Sequence, residues 1–241
     1  MIPTLDDRQK LFRRHFLFSD VAEETLERLA GLSTVVPLKR GDVLFYRGDE
    51  GDALYAVYEG TVRISIVGPD GKEVSLNLME PGDFFGEIAL LDGLSRTADA
   101  RAAEDTTLVR LPREPFMALL DDEPRIMRNI IDMLCEMLRN SAEDIADAAF
   151  LDLRARLAKW LLELGISHGE TTESGTFIRL RQSQTDLAQL LGVTREAVNK
   201  QLKSLEREHM IRLERGHITV LSRAKLLAIA NPDSDPDRTA R

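Results

Sequence analysis

A chain of 241 residues, 43% hydrophobic and 30% charged, has room for one large or two small globular domains. It has no run of about 18 apolar residues, and its first stretch, MIPTLDDRQKLFRRHF, is charged where a signal peptide has an apolar core. A cytoplasmic location and no membrane partner are therefore expected. One cysteine, Cys135, excludes an intrachain disulfide framework and a cysteine-ligated zinc or iron–sulfur centre, and it reads as a buried free thiol on a helix.

The net charge of −9 is unevenly spread. Residues 1–152 carry 17 basic and 30 acidic side chains, whereas residues 153–230 carry 13 and 8. An acidic module joined to a basic one points to an anionic partner for the C-terminal part.

Residues 5–32 read as short amphipathic helices, with Ser19 or Asp20 as a cap and Val21, Leu26 and Leu29 as an apolar face. From 35 to about 112 the texture is short alternating runs, DVLFYRG, ALYAVYEGTVRISIV, VSLNLM and TTLVRL, separated by Gly-Asp and Pro-Asp-Gly turns. That spacing predicts a small all-β sandwich or barrel. Residues 114–150 become helical, and Pro124 opens a long helix. Its stripe Met127, Ile131, Leu134, Leu138, Ser141, Ile145 and Ala148 steps by 4 and 3, the spacing of a coiled-coil seam, with one hydroxyl interrupting it. A second copy of the chain in an isologous homodimer is the expected partner of that seam. After AFLDL come the helix RARLAKWLLELG, a polar loop over 167–175 and a short strand TFIRL.

The stretch QTDLAQLLGVTREAVNKQLKSLE, from Gln184 to Glu206, sets Ala188, Gly192 and Val198 at the fifth, ninth and fifteenth places. A small residue allows close helix crossing, glycine allows a turn with positive φ, and a branched apolar residue locks the second helix on the first. Ser183 with Asp186 forms a capping box, and Thr194 caps the second helix. Leu187, Leu190, Leu191, Val198, Leu202 and Leu205 fill the inner face. The outer face carries Arg195, Glu196, Asn199, Lys200 and Lys203, types that read guanine and cytosine edges in a major groove. MIRLERGHITVL, with a turn at Arg215–Gly216, supplies a wing. No nucleophile–base pair or metal cluster stands out, so neither an enzyme nor a metal site is expected.

In FFGEIALLDGLSRTADARA a helix starting at Glu87 would offer the amides of Ile88 and Ala89 to a phosphate. Gly86 allows close approach, Arg96 supplies a guanidinium and Thr97 a hydroxyl, while Glu87 suits a sugar hydroxyl. An internal Glu87–Arg96 ion pair between loop ends accounts for the same residue types.

PGDFFGEIALLDGLSRTADARA resembles the phosphate-binding cassette of cyclic-nucleotide-binding domains. With AFLDLRARLAKWLL and GVTREAVNKQLKSLE, the chain from roughly 12 to 230 resembles bacterial regulators of the cyclic AMP receptor protein (CRP/FNR) family. The resemblance implies an α+β chain. Residues 1–123 would hold N-terminal helices and a cyclic-nucleotide-binding β-roll (jelly roll), 124–150 a dimerisation helix and 151–153 a hinge. A winged helix-turn-helix would occupy 154–230 and a polar tail 231–241. It implies no resident cofactor, and cyclic AMP and/or cyclic GMP as allosteric ligand. Glu87 would hold the ribose 2′-hydroxyl. Arg96 would pair with the cyclic phosphate, helped by Thr97 and the amides of Ile88 and Ala89, with Ser141 against the purine. Ala142 departs from the family pattern, which has a second hydroxyl there that reaches the partner's ligand. Asp152 matches the hinge acid. Arg195, Glu196 and Lys200 match three base-reading positions, the last an arginine in the prototype, and Ser183, Thr194 and Asn199 complete the DNA-facing set. Double-stranded DNA with a pseudo-palindromic site and RNA polymerase are the further partners implied. An iron–sulfur sensor would need more cysteines, and for a haem sensor only His15 offers itself. A regulator of the same fold that binds DNA without nucleotide or with another effector, and a module that regulates a protein partner, are the alternatives.

Overall fold

The computed structural model describes residues 2–69, 71, 73–178, 183–214 and 216–231. The chain divides into two compact units, Met1–Leu138 and Arg139–Arg241.

The first unit opens with helix α1 (Leu5–Arg14), whose Thr4 and Asp7 exchange hydrogen bonds in a capping box. A 3-10 turn (Phe16–Phe18) follows, then α2 (Glu23–Leu32). The cap of α2 differs from expectation: Ala22 occupies that place with no side-chain hydrogen bond, and Ser19 instead closes the 3-10 turn. Ser19 has helical backbone angles, φ −58 and ψ −33, and donates its amide to Phe16 O, so it lacks the extended backbone of an N-cap.

Among the described residues, eight strands come next: β1 (Thr34–Leu38), β2 (Val43–Phe45), β3 (Ala53–Glu59), β4 (Val62–Val67), β5 (Glu73–Met79), β6 (Phe84–Phe85), β7 (Asp99–Ala102) and β8 (Thr106–Pro112). They form two four-stranded antiparallel sheets, ordered β1-β8-β3-β6 and β2-β7-β4-β5. Strand β3 is buried on both faces, so its period of two divides it between two cores. Leu54 and Ala56 pack on the helical side, while Ala53, Tyr55 and Val57 face Val62 and Ala100 of the other sheet. Phe84 and Phe85 split the same way. Helices α3 (Glu87–Asp92) and α4 (Arg113–Asp122) and the start of α5 (Pro124–Phe150) complete the unit, with Phe116, Leu119, Ile126 and Ile130 in the helical core. Burying such side chains contributes about 1.5–3 kcal/mol each.

Most of the α5 seam is exposed within the single chain: Met127 is 43%, Ile131 53%, Leu138 76% and Ile145 70% accessible, while Leu134 is half-buried against the first core. Cys135 is also exposed, contrary to the buried thiol expected, because it lies one residue off the seam and away from the core face of Ile126 and Ile130.

In the second unit α6 (Leu153–Ser167) begins after a two-residue break. The polar loop expected over 167–175 is instead strand β9 (Gly169–Thr172), paired antiparallel with β10 (Gly175–Ile178). Polar residues form this strand because the side chains of Glu170, Thr171 and Thr172 stay exposed at the sheet edge, while the backbone ladder to β10 and the Thr172 hydroxyl, which donates to Gly175 O at 2.8 Å, hold it. Helices α7 (Gln184–Leu191) and α8 (Arg195–Arg207) follow, then β11 (Ile211–Glu214), β12 (His217–Val220) and a further helix, α9 (Arg223–Ala230), capped by Ser222. The sheet order is β11-β12-β10-β9, and α6, α7, α8 and α9 share one core around Leu157, Leu161, Leu202 and Leu226. Arg215 of the wing turn, the last residues of TFIRL and residues 232–241 lie outside the described residues.

In the first unit, His15 sits between the rings of Phe16 and Phe84, at 4.7 and 4.4 Å, and its Nδ1 accepts from the Leu17 amide at 3.4 Å. Burial lowers its pKa from 6.5 to about 4, with Asp83 opposing. The unfolded chain therefore takes up this proton at a higher pH than the folded one. The stabilisation is complete above about pH 6.5 and is lost as pH falls towards 4. Allowing for partial exposure, the loss is about 1–2 kcal/mol. All three tyrosines lie in this unit, so urea unfolding followed by tyrosine emission at pH 7.5 and 5 measures it. An equal decline in His15→Phe would show that another group is responsible.

Candidate functional site

The cassette starts at a turn in which Asp83 accepts from the Glu80 amide at 2.8 Å and Gly82 has φ 104. After β6, Gly86 adopts a left-handed conformation, φ 86, that reverses the chain into α3. A Cβ there would lie 2.7 Å from Arg96 Nη1 and 3.3 Å from the Ala53 carbonyl, so only glycine leaves room for the arginine. Gly93, φ 72, ends α3. The returning segment is tied to the 48–50 loop: the Arg96 amide donates to Asp49 O at 2.8 Å, and Gly48 donates to Arg96 O at 2.9 Å. Gly51 packs against Ala89 so closely that a Cβ would sit 2.3 Å from that methyl.

These ties carry Arg96 inward. It is 4% accessible, with Nη1 donating to Gly86 O at 2.8 Å and Nη2 to Ala53 O at 2.9 Å. Its guanidinium lies over Phe45, 4.3 Å from the ring centroid, and beside Tyr55 at 5.6 Å. Nε is buried without a hydrogen-bond partner among the described residues. The nearest carboxylate is that of Asp52, at 3.8 Å, which Arg110 holds at 2.5 Å. Burial pulls the Arg96 pKa down, with Tyr55, Asp52 and Glu87 opposing.

Glu87, 9% accessible, opens α3, and burial raises its pKa against the pull of its own amide, Arg96 and the Gly86 amide. No ion pair joins Glu87 to Arg96 among the described residues, so the loop-end pair considered from sequence does not form. Ile88 and Ala89 follow in the first turn, whose amides lack intrahelical acceptors. The Thr97 side chain is exposed. Ser141 is on the exposed face of α5, in the second unit. The structure thus gathers Gly86, Glu87, Ala89 and Arg96, and adds Phe45, Gly51, Asp52 and Tyr55, which the sequence reading missed. Those four sit on β2, β3 and the loop between them, far from the cassette in sequence, and only the sheet pairing brings them near.

In the second unit, Ser183 accepts from the Asp186 amide while Asp186 accepts from the Ser183 amide, closing the expected capping box. Gly192 ends α7 at φ 65, and Thr194 accepts from the Ala197 amide at 3.2 Å. Val198 and Leu202 are buried, which turns Arg195, Glu196, Lys200 and Lys203 outward. Gln184 Nε2 donates to Asn199 at 3.1 Å, and Arg195 Nε donates to Gln184 at 3.5 Å, so one amide steadies two outward side chains. Asp152 accepts from the Ala155 amide at 2.8 Å and caps α6.

The family description "Cyclic nucleotide-binding domain" matches residues 35–123, and "Crp-like helix-turn-helix domain" matches residues 155–229. A β-roll of this kind joined to a winged helix-turn-helix defines a cyclic-nucleotide-binding transcription regulator. The chain is 33% identical over 221 residues to the CRP-like cAMP-activated global transcriptional regulator of Mycobacterium tuberculosis (strain ATCC 25618 / H37Rv), covering 91% of this chain and 97% of that one. It is 37% identical over 191 residues to the cyclic AMP receptor protein of Thermus thermophilus, covering 79% and 85%. Among solved structures, a CRP/FNR-family regulator from Thermus thermophilus superposes with TM-score 0.66 at 34% identity, covering 82% and 98%. The c-di-GMP responsive global regulator CLP of Xanthomonas campestris superposes with TM-score 0.72 at 26% identity, covering 83% and 100%. The chain belongs to the CRP/FNR family of transcription regulators. These relatives are regulators, not enzymes, and no described helix is long and apolar enough to cross a membrane.

Proposed function

We propose that the chain is a homodimeric transcription regulator whose DNA binding is gated by a 3′,5′-cyclic purine nucleotide, cyclic AMP or cyclic GMP. The observation that carries this is Arg96. It is a buried cation whose hydrogen bonds among the described residues go to neutral carbonyls, with Asp52 no nearer than 3.8 Å, Nε unpartnered and a buried glutamate beside it. A cyclic phosphate supplies a closer anion than Asp52, and a ribose 2′-hydroxyl adds a donor to the amides of Glu87 and Gly86 that the Glu87 carboxylate already has. Thr97 and the amides of Ile88 and Ala89 assist at the phosphate, and Ser141 meets the purine. The exposed seam of α5 pairs with a second copy, with residues 124–150 as the dimer helix, 151–153 as the hinge and 154–230 as the DNA-binding domain. Two recognition helices then read a pseudo-palindromic site through Arg195, Glu196, Asn199 and Lys200, with Ser183 and Thr194 at the phosphates.

Calorimetric titration with cyclic AMP, cyclic GMP and cyclic di-GMP, with and without DNA, tests the reading. Binding of neither mononucleotide, or DNA affinity indifferent to both, would favour the effector-independent alternative. Guanine turned over the sugar brings its 2-amino group to Thr97, whereas adenine offers its 6-amino group to Ser141. One neutral hydrogen bond is worth about 0.5–1.5 kcal/mol, or a few-fold to about tenfold. Thr97→Ala therefore weakens cyclic GMP more than cyclic AMP, and Ser141→Ala mainly reduces activation by cyclic AMP. Equal changes for both ligands in both variants would rule out this division.

A further inference from the structure

Helices α5 and α6 meet at a break of two residues, Leu151 and Asp152. Each residue has two soft dihedrals, so this joint alone would leave the interhelix angle poorly set. Two ion pairs anchored on α6 bear on it. Towards α5, Lys159 donates from Nζ to Asp147 Oδ2 at 2.6 Å, with Glu143 at 3.9 Å. Both partners are sheltered, 30% and 25% accessible. Towards α8, Arg154 donates to Glu208 Oε2 at 2.7 Å and to Ser204 Oγ at 3.2 Å. Positions 154 and 159 differ by about 140° around a helix, so the two cations leave α6 on different sides.

Lys159 is set among acids. Its pKa is raised, first by the hydrogen bond to Asp147. Burial raises those of Asp144 and Glu163, and Lys159 counters this in both. Without the ammonium, carboxylates on α5 and α6 face one another across the joint.

We propose that α6 is an ionic coupler. The Lys159–Asp147 latch fixes its angle to the end of α5, and the Arg154–Glu208–Ser204 clamp fixes it to the recognition helix. A shift of α5 is then carried to α8 as a rigid-body movement instead of being absorbed at the joint. The functional side of this inference rests on the reading of the chain as a nucleotide-gated DNA-binding protein. None of the four charged residues belongs to the proposed pocket or the base-reading set.

The test uses the full chain with Lys159→Met, which removes the charge and keeps most of the stem, and Lys159→Arg, which keeps a cation. Spin labels at Asn140 and Ile166 in a Cys135→Ser background, diluted into unlabelled protein, report the joint directly and without ligand. A narrow distance distribution is expected for the parent and Lys159→Arg, and a broad or displaced one for Lys159→Met. The ratio of DNA affinities with and without cyclic AMP falls about three- to tenfold in Lys159→Met and is restored in Lys159→Arg. If Lys159→Met does not fold, Asp147→Asn serves in its place. Unchanged distances, or an unchanged ratio in a protein that does respond to cyclic AMP, would overturn the coupler. A parent protein with no response to cyclic AMP or to cyclic GMP would instead overturn the proposed ligand, and the distances would still decide the latch.

Discussion

Arg96→Ala is expected to weaken cyclic nucleotide binding by about 30-fold to several thousand-fold, corresponding to about 2–5 kcal/mol for truncating one side of a buried charged pair. The size follows from the setting. The guanidinium is almost wholly withdrawn from water, and its hydrogen-bond partners, Gly86 O and Ala53 O, are neutral. Asp52 at 3.8 Å is a weak substitute because Arg110 engages it more closely. Arg96→Lys should fall between, since a lysine keeps the charge but loses the planar fork and the stacking on Phe45. Calorimetry with cyclic AMP gives the affinities, and near-ultraviolet circular dichroism checks that the β-roll is intact. An Arg96→Ala protein that is folded and binds cyclic AMP with parental affinity would dispose of the phosphate clamp.

The second large effect is on sequence reading. Lys200 and Glu196 stand exposed one turn apart on α8, whose position is fixed by buried Val198, Leu202 and Leu205. A good contact to a base edge discriminates by about 1–3 kcal/mol. In a symmetric dimer the loss occurs in both half-sites, so Lys200→Ala or Glu196→Ala relaxes preference by about 2–6 kcal/mol in total, at one symmetric pair of positions each. Lys200→Arg should sharpen that preference, because a guanidinium can bridge guanine O6 and N7. Selection of sites from random DNA measures this directly. If Lys200→Ala selects the same sites with the same discrimination, that side chain does not read bases.

Much of this chain is determined locally. The capping boxes at Thr4 and Ser183, the left-handed turns at Gly86 and Gly192, and the 4–3 seam of α5 each depend on residues within one or two turns of one another. Sequence order alone therefore carries their physics. The same holds for the outward face of α8, since helical periodicity places it opposite the apolar residues. Family membership was legible for a related reason: the cassette and the recognition helix are both short continuous segments.

Other features depend on contacts between distant parts of the chain. No local pattern says that Arg96 folds over Phe45, rests on the Ala53 carbonyl and leaves Nε unpaired. That requires β2 and β3 to lie in facing sheets. The exposed Cys135 follows from which side of α5 meets the first core. Strand β9, built from Gly-Glu-Thr-Thr, exists because β10 offers a hydrogen-bonding edge, and α9 packs on α6 where Leu226 fills a core shared by three other helices and by β10, β11 and β12. The Lys159–Asp147 pair spans the break in the helices, where periodicity stops predicting which faces meet. Propensity and spacing thus specify single elements and their faces. Burial, pairing and the balance of charge inside the pocket are sums over neighbours that only the folded chain supplies.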